Sequence, residues 1–165
     1  GQLLDHAMVS FRLDNLSEDE IEVQVLIKDV IDRISPLYDL KGIQIKKNSI
    51  QNCRVIGDSI LLQNALHNVL DNALKYCSEN DTITVTVKDI SQNCIIEIAD
   101  SGQGFPEISA LLTNRFTRGE NTKGIVGSGL GLTIAKDVVE AHGGNITISN
   151  TEEGGACVTF TLPCS

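Results

Sequence analysis

Three asparagines and a lysine recur at helical spacing near the middle of the chain. At about 100° per residue, Asn64, Asn68, Asn72 and Lys75 fall on one strip of a helix, with Tyr76 at its border. Asparagine is a poor helix former, and Glu, Lys or Gln would serve a solvated helix face better. Amide oxygens can coordinate a hard cation such as Mg²⁺, and the lysine adds a positive charge for phosphate. The strip therefore indicates a metal-assisted phosphate site, with an ordinary solvated face as the alternative interpretation.

Two glycine-rich segments could complete such a site. Asp100 follows directly on an apolar strand, and Gly102 and Gly104 allow the backbone to approach a flat polar ligand closely. A second segment opens a predicted helix, where free N–H groups and the positive end of the helix dipole can hold phosphate oxygens. Its residues are Gly127, Ser128, Gly129, Leu130, Gly131 and Leu132. A plain Asp-Gly turn and a flexible loop are the alternatives for the two segments.

The stretch between these segments carries cations in an otherwise acidic chain. Arg115, Arg118 and Lys123 stand where movable positive charges would meet a triphosphate, or they are ordinary loop charges. Two better-known nucleotide motifs are missing: a dinucleotide fingerprint would need a glycine at Leu132, and a P-loop would need Lys followed by Ser or Thr after Gly124.

The histidines show no sign of a phosphohistidine. His6 has no acidic neighbour to act as a base, and His67 lies within the asparagine-bearing helix. His142 is in a last helical turn, where a cation suits the helix dipole. We expect a structural role for each of them.

Alternating and helical patterns predict the elements that would position these residues. The apolar helix stripe beside the asparagines should face a core. Pro36 should end or kink an earlier helix near Ser35. The predicted strands cover 21–25, 43–46, 54–56, 82–88, 94–99, 145–149 and 156–162, and the predicted helices run from Leu26 to Leu40, from Asp58 or Ser59 to about Cys77, and from Leu130 to Ala141.

The amino-acid composition limits the classes of protein to which this chain can belong. The 165 residues suit one domain, and 13 basic against 22 acidic residues, net charge −9, exclude nucleic acid as an expected partner. Five cysteines without a Cys-x-x-Cys pair argue against a disulfide framework and a zinc site, and they favour a reducing, cytoplasmic setting. No window approaches the roughly 18 apolar residues that a membrane span needs.

Taken in order, these motifs resemble those of the ATP-binding catalytic domain of sensor histidine kinases, in the GHKL superfamily with its Bergerat-type fold. The segment 68–76 looks like the N box of that family, and 100–104 looks like its first glycine box. The segments 116–119 and 127–132 resemble its F box and second glycine box. The resemblance implies a two-layer α/β sandwich in which a mixed sheet of about five strands carries three helices on one face.

The resemblance also implies ligands and roles. Mg²⁺ would bind the amide oxygen of Asn68, and ATP phosphates would be reached by Asn72, Lys75 and Arg118. Tyr76 would flank the nucleotide, and Asp100 would accept a hydrogen bond from the adenine amino group. Catalysis would rest on Asn68, Lys75 and Arg118. The pocket would be completed by Gly102, Gly104, Gly127, Ser128, Gly129, Leu130 and Gly131.

One part of the family pattern is missing from this chain. A phosphoacceptor histidine followed by an acidic residue and soon a proline is absent. We therefore expect residues 1–16 to be a remnant of a dimerisation and phosphoacceptor helix and residues 17–165 to be the ATP-binding catalytic domain. The implied partners are the dimerisation helices of the same parent kinase and a response regulator or receiver domain. The chain itself is expected to be monomeric, and we expect it to be the cytoplasmic portion of a homodimeric, membrane-anchored sensor kinase.

Two rival functions share the same type of fold. Gyrase-type, mismatch-repair and Hsp90-type ATPases use a glutamate four residues before the first N-box asparagine, and Asn64 occupies that position here. A GHKL-type ATPase would therefore lack its base. An anti-sigma-factor-like serine kinase or partner-binding module is the second alternative, and the helical character of residues 1–16 argues mildly against it.

Overall fold

The computed structural model describes residues 16–101, 126–150 and 155–165. Among these residues, no helix is both long enough and apolar enough to cross a membrane. The described strands are β1 (Asp19–Glu22), β2 (Gln44–Ile50), β3 (Arg54–Gly57), β4 (Thr82–Ile90), β5 (Asn93–Asp100), β6 (Asn145–Asn150) and β7 (Ala156–Pro163), and the described helices are α1 (Val23–Lys41), α2 (Ser59–Tyr76) and α3 (Val126–Ala141).

A five-stranded mixed sheet forms one layer of the molecule. Its strand order is β2-β4-β5-β7-β6, with β2 parallel to β4 and the other neighbours antiparallel. A separate antiparallel pair joins β1 to β3. The hairpin between β4 and β5 turns through Ser91 and Gln92, both with positive φ, as a tight two-residue hairpin loop requires.

The helices form the second layer, and the core lies between the layers. Strand β5 alternates between buried and half-buried positions along its length, so one face of the sheet is closed off. Helix α2 packs against α1 and α3 and contributes an apolar stripe to the core. The stripe consists of Leu62, Leu66, Val69, Leu70 and Ala73, each at most 2% exposed. The predicted two-layer α/β sandwich, with three helices and a five-stranded mixed sheet, is confirmed.

The prediction that the first helix ends near Ser35 is wrong, because α1 runs through Pro36 to Lys41. Buried side chains continue at helical spacing on both sides of the proline, including Ile34 at 0% and Tyr38 at 1% exposure. Burial of such side chains contributes about 1.5–3 kcal/mol each, which offsets the roughly 3 kcal/mol cost of an interior proline. Pro36 itself is exposed. Gly42 then ends the helix in the left-handed conformation at φ 78°, which glycine adopts without strain.

The predicted strand over residues 21–25 is also misplaced, because β1 ends at Glu22 and α1 begins at Val23. Buried Val23 and Leu26 belong to the helical stripe of α1, whereas Val25 is 48% exposed. The backbone N–H of Val23 donates to the carbonyl of Cys53 at 2.9 Å, which satisfies one of the donors that a helix start leaves open.

A buried hydrogen-bonded group joins the start of α2 to the end of α3. Asp58 is the N-cap of α2, and its carboxylate accepts from the N–H groups of Ile60 and Leu61. Its own N–H donates to Nε2 of His142 at 3.0 Å, and Nδ1 of His142 lies 2.7 Å from the carbonyl oxygen of Val138. Both bonds form together only when the imidazole is neutral, with its proton on Nδ1. His142 therefore has the expected structural role, but as a neutral ring rather than as the cation expected at the helix end.

Candidate functional site

Helix α2 carries the predicted polar strip. Asn64 and Asn68 are half-buried, Asn72 is buried with 2% of its surface exposed, and Lys75 is exposed. The apolar stripe of α2 faces the core, so the strip lies beside it at the border between the interior and solvent. The helix and the strip are confirmed as predicted. Tyr76 is the last residue of α2, and its side chain lies outside the described part of the structure.

Two of the asparagines are hydrogen bonded to each other one helical turn apart. Nδ2 of Asn68 donates to Oδ1 of Asn64 at 3.0 Å. This bond uses the nitrogen of the Asn68 amide and fixes its plane, so the amide oxygen is the group that Asn68 presents as an acceptor. Neutral amide oxygens are among the ligands that hard divalent cations accept. The donor set therefore fits Mg²⁺ at Asn68.

Lys75 has a partner that the sequence analysis did not single out. Its Nζ lies 3.3 Å from Oδ2 of Asp71, with 46% and 37% of the two side chains exposed. Exposed ion pairs at this spacing contribute only about 0.3–0.5 kcal/mol, so the lysine can exchange its partner for a phosphate at little cost. The spacing of four residues between an acid and a base on one helix was a signal that could have identified Asp71.

Asp100 ends strand β5 with a buried carboxylate. Only 6% of the residue is exposed, and its Oδ2 accepts from the backbone N–H of Ala156 at 3.3 Å. Gly155 lies so close that a Cβ there would stand 1.9 Å from the carbonyl oxygen of Asp100. Gly155 is therefore needed for the chain before β7 to reach Asp100, a requirement that the sequence analysis missed.

Strand β5, which ends at the buried Asp100, contacts the asparagine-bearing helix α2. Cys77 follows α2, and burial raises the pKa of its thiol to about 12, with a further contribution from the negative charge of Asp100. Two side chains from α1 hold the same end of the helix: the hydroxyl of Tyr38 donates to the carbonyl of Leu70, and Nζ of Lys41 donates to the carbonyl of Leu74. The fold thus brings the N-box strip and Asp100, which the sequence separates, to one end of the sheet.

Other predicted site residues are placed only in part. Gly102, Gly104 and Arg118, which were predicted to belong to the site, lie outside the described residues. The prediction that the second glycine-rich segment opens a helix is confirmed, because α3 begins at Val126 and places residues 127–131 in its first turns. The first N–H groups of a helix have no partner within it, so they are donors available to an anion. The side chains of residues 127–131 are not among those described.

Comparison with known proteins identifies one family. The sequence profile of the "Histidine kinase-, DNA gyrase B-, and HSP90-like ATPase" family matches residues 57–165. This range includes α2, the hairpin with Asp100 and the start of α3. The match therefore covers every described element of the candidate site.

Individual relatives are sensor kinases. The chain is 31% identical over 155 residues to the sensor-like histidine kinase SenX3 of Mycobacterium bovis, covering 92% of this chain but 37% of that protein. Among solved structures, it is similar to the mycobacterial sensor histidine kinase MprB, with a TM-score of 0.73, 27% identity, and coverage of 89% of this chain and 97% of that one. The catalytic domain of histidine kinase ThkA is equally similar, with a TM-score of 0.73 and 26% identity over 89% of this chain and 97% of that one.

Proposed function

Because the chain belongs to the histidine kinase-, DNA gyrase B- and HSP90-like ATPase family, we propose that its parent protein transfers the γ-phosphate of ATP to a histidine and that this chain performs the nucleotide part of that reaction. The chain is an ATP-binding catalytic domain of the sensor histidine kinase type. The observation that supports the proposal best is the contact between α2, which carries Asn68 and Asn72, and β5, which ends at buried Asp100.

Each side chain at this end of the sheet has a role in the proposal. The carboxylate of Asp100 accepts a hydrogen bond from the adenine amino group, and Tyr76 flanks the base. Lys75 leaves Asp71 for a phosphate, and Asn72 donates to the phosphates. Gly102 and Gly104 shape the adenine pocket, and Arg118 meets the terminal phosphate. The first turn of α3 presents the N–H groups of Gly127, Ser128 and Gly129, while Leu130 and Gly131 line the pocket.

The proposed chemistry is positioning and charge neutralisation. A phosphoryl group in transfer spreads negative charge over its oxygens, so fixed N–H donors and cations stabilise the transition state without forming a covalent bond. Mg²⁺ held by the amide oxygen of Asn68 would supply further neutralisation of the phosphates. Asn64 holds the amide plane of Asn68 through the 3.0 Å bond. The donors therefore need little rearrangement when ATP binds.

The structure favours transfer over hydrolysis. Asn64 stands where the related ATPases have their glutamate base, and its oxygen is engaged by Asn68. An amide cannot take a proton from water at neutral pH as a carboxylate does. The chain should therefore hold ATP for an external nucleophile rather than activate water.

The remaining parts of the proposal concern the parent protein. We assign residues 1–16 to the end of a dimerisation and phosphoacceptor helix and residues 17–165 to the catalytic domain. The partners are then the dimerisation helices and a response regulator or receiver domain, with no role for nucleic acid. A nucleotide substrate and five free cysteines support a cytoplasmic position.

The metal role is tested by calorimetric titration of ATP and ADP with Mg²⁺ or with excess chelator. We expect binding that depends on Mg²⁺, and we expect Asn68→Ala to weaken it as chelation does. Gln63→Ala on the same helix is the matched control and should bind as the unmodified chain does. Equal affinity with and without Mg²⁺ would refute the metal assignment while leaving ATP binding itself intact.

The transfer reaction is tested with γ-labelled ATP. The chain alone should neither label itself nor hydrolyse ATP briskly. Addition of the dimerisation helices of its own parent should give an acid-labile, alkali-stable label on a histidine of those helices. Brisk hydrolysis by the chain alone would support the ATPase class instead, and an acid-stable label on a serine of a partner protein would support the serine kinase class.

A further inference from the structure

Three cysteines that the sequence scatters meet at the end of the sheet away from Asp100. Cys53 precedes β3, Cys94 lies near the start of β5, and Cys164 follows β7. Six residues of extended strand separate Cys94 from Asp100, which is about 20 Å. The cluster is therefore distinct from the candidate nucleotide site. The cysteines form no zinc motif of residues close in sequence, but the fold brings cysteines that are distant in sequence together.

A carboxylate completes the cluster. The Sγ atoms of Cys53 and Cys164 and a carboxylate oxygen of Asp89 all lie within 4.8 Å of one another. The thiol of Cys164 donates to Oδ1 of Asp89 at 3.7 Å, and the thiol of Cys53 donates to the carbonyl oxygen of Lys88 at 3.5 Å. Cys53 and Cys94 are buried, Cys164 is half-buried and Asp89 is exposed. The group thus reaches from the core to solvent, and an ion could enter from the side of Asp89.

This donor set suits a particular class of ion. Thiolate sulfur selects thiophilic cations, and two sulfurs with one carboxylate oxygen supply three of the four ligands of a tetrahedral Zn²⁺ site, which leaves the fourth position to water. A bound cation compensates the thiolate charge that burial would otherwise penalise, because its own charge lies within the cluster.

We propose that Cys53, Cys164 and Asp89 form a binding site for a thiophilic d¹⁰ cation, Zn²⁺ above all, with water as the fourth ligand. Each coordinating thiol releases its proton to solvent when the sulfur–metal bond forms. The proposal is independent of the nucleotide site.

The bound ion would clamp chain segments that weak contacts already align. The N–H of Cys164 donates to the carbonyl of Gln92 at 2.9 Å, and the N–H of Ser165 donates to the carbonyl of Arg54 at 2.8 Å. The carbonyl of Cys53 accepts from the first residue of α1. Coordination would therefore join the last residues of the chain to the β4–β5 hairpin and to the start of α1.

The test adds Zn²⁺ alone to the reduced full chain, in the absence of nucleotide, and follows heat, proton release and melting temperature. Co²⁺ in place of Zn²⁺ gives a second readout, because tetrahedral cobalt thiolates absorb in the visible and near-ultraviolet. We expect one equivalent to bind with a Kd below about 1 μM, with proton release and a higher melting temperature. ATP titration of the same sample reports separately on the nucleotide site.

Variants at the partly exposed ligands avoid disturbing the core. Loss of an outer-shell partner lowers the affinity of a site for its metal by about 10- to 100-fold. We therefore expect Cys164→Ser, which loses a ligand, to lower the affinity for Zn²⁺ by about 100-fold or more. Asp89→Asn should lower that affinity by at least about 10-fold. Cys157→Ser, a half-buried cysteine outside the cluster, is the matched control and should bind as the unmodified chain does. Equal affinity in Cys164→Ser and Cys157→Ser, or no saturable binding by the reduced chain, would overturn the proposal. Formation of a Cys53–Cys164 disulfide by a chain that binds no Zn²⁺ would overturn it in favour of a redox role.

Discussion

Asp100→Asn should weaken ATP binding and narrow the difference between the affinities of this chain for ATP and GTP. The carboxylate accepts from the N–H of Ala156 at 3.3 Å and is 6% exposed. An asparagine in its place keeps that N–H satisfied only if its amide oxygen points toward Ala156. Its NH₂ group then points toward the bound base, where it is a donor facing the adenine amino group, which is also a donor.

The magnitude follows from the kind of bond that is lost. A buried hydrogen bond to a charged group contributes about 1.5–3 kcal/mol, and about 1.4 kcal/mol corresponds to a tenfold change in affinity. ATP affinity should therefore fall about 10- to 150-fold. Guanine carries a carbonyl oxygen at the position of the adenine amino group. The NH₂ group introduced by Asp100→Asn can donate to that oxygen, so GTP affinity should be unchanged or higher.

Calorimetric titration of the variant with ATP and with GTP checks this prediction. Asp58→Asn is the control, because it replaces another buried carboxylate, and asparagine is as good an N-cap as aspartate. Its ATP affinity should not change. Urea denaturation of both variants excludes unfolding as the cause. An ATP-to-GTP preference in Asp100→Asn equal to that of the unmodified chain would refute the assignment of Asp100 to adenine.

Other substitutions test the surroundings of the site. Asp71→Asn should raise ATP affinity about twofold in calorimetry, because Lys75 loses a partner worth about 0.3–0.5 kcal/mol; unchanged affinity would place Lys75 away from the phosphates. Urea denaturation should show that Gly57→Ala lowers the free energy of unfolding by about 1–3 kcal/mol, because its Cβ would stand 2.3 Å from Cδ2 of His142. Adding His142→Ala to the same chain should recover part of that loss. The free energy of unfolding should fall as the pH rises above about 9. The unfolded state then loses the Cys77 proton, which the folded state keeps until about pH 12. The urea midpoint of Cys77→Ala should fall less over the same pH range.

The parts of the fold that local patterns determine were predictable from the sequence. Helix α2 follows from its apolar stripe and its Asp58 cap, and the β4–β5 hairpin follows from two alternating segments around a short turn. The polar strip on α2 and the position of Asp100 at a strand end depend on the same local periodicity. These features need no information about distant residues, so the residue pattern alone predicts them.

Features decided by tertiary packing escaped prediction. The run of α1 through Pro36 depends on burial of its apolar face against the rest of the core, which local propensity does not include. Gly155 is needed because of a backbone 55 residues earlier in the chain, at Asp100. The approach of Cys53 and Cys164 to Asp89 depends on how the chain before β3 and after β7 packs against β4. Sequence spacing carried no signal for any of these contacts.

The apolar stripe of α2 contributes to function because its packing fixes the direction in which the polar strip faces. Leu66 and Val69 are buried at 2% and 0% exposure, and they alternate along the helix with Asn64, Asn68 and Asn72. A shift of one residue in how α2 packs would rotate the helix by about 100° and carry the asparagine amides away from Asp100. The contacts of Tyr38 and Lys41 with the carbonyls of α2 oppose that rotation at the end nearest the site. The geometry of the nucleotide site is therefore held by core and helix-end contacts that need not touch the nucleotide themselves.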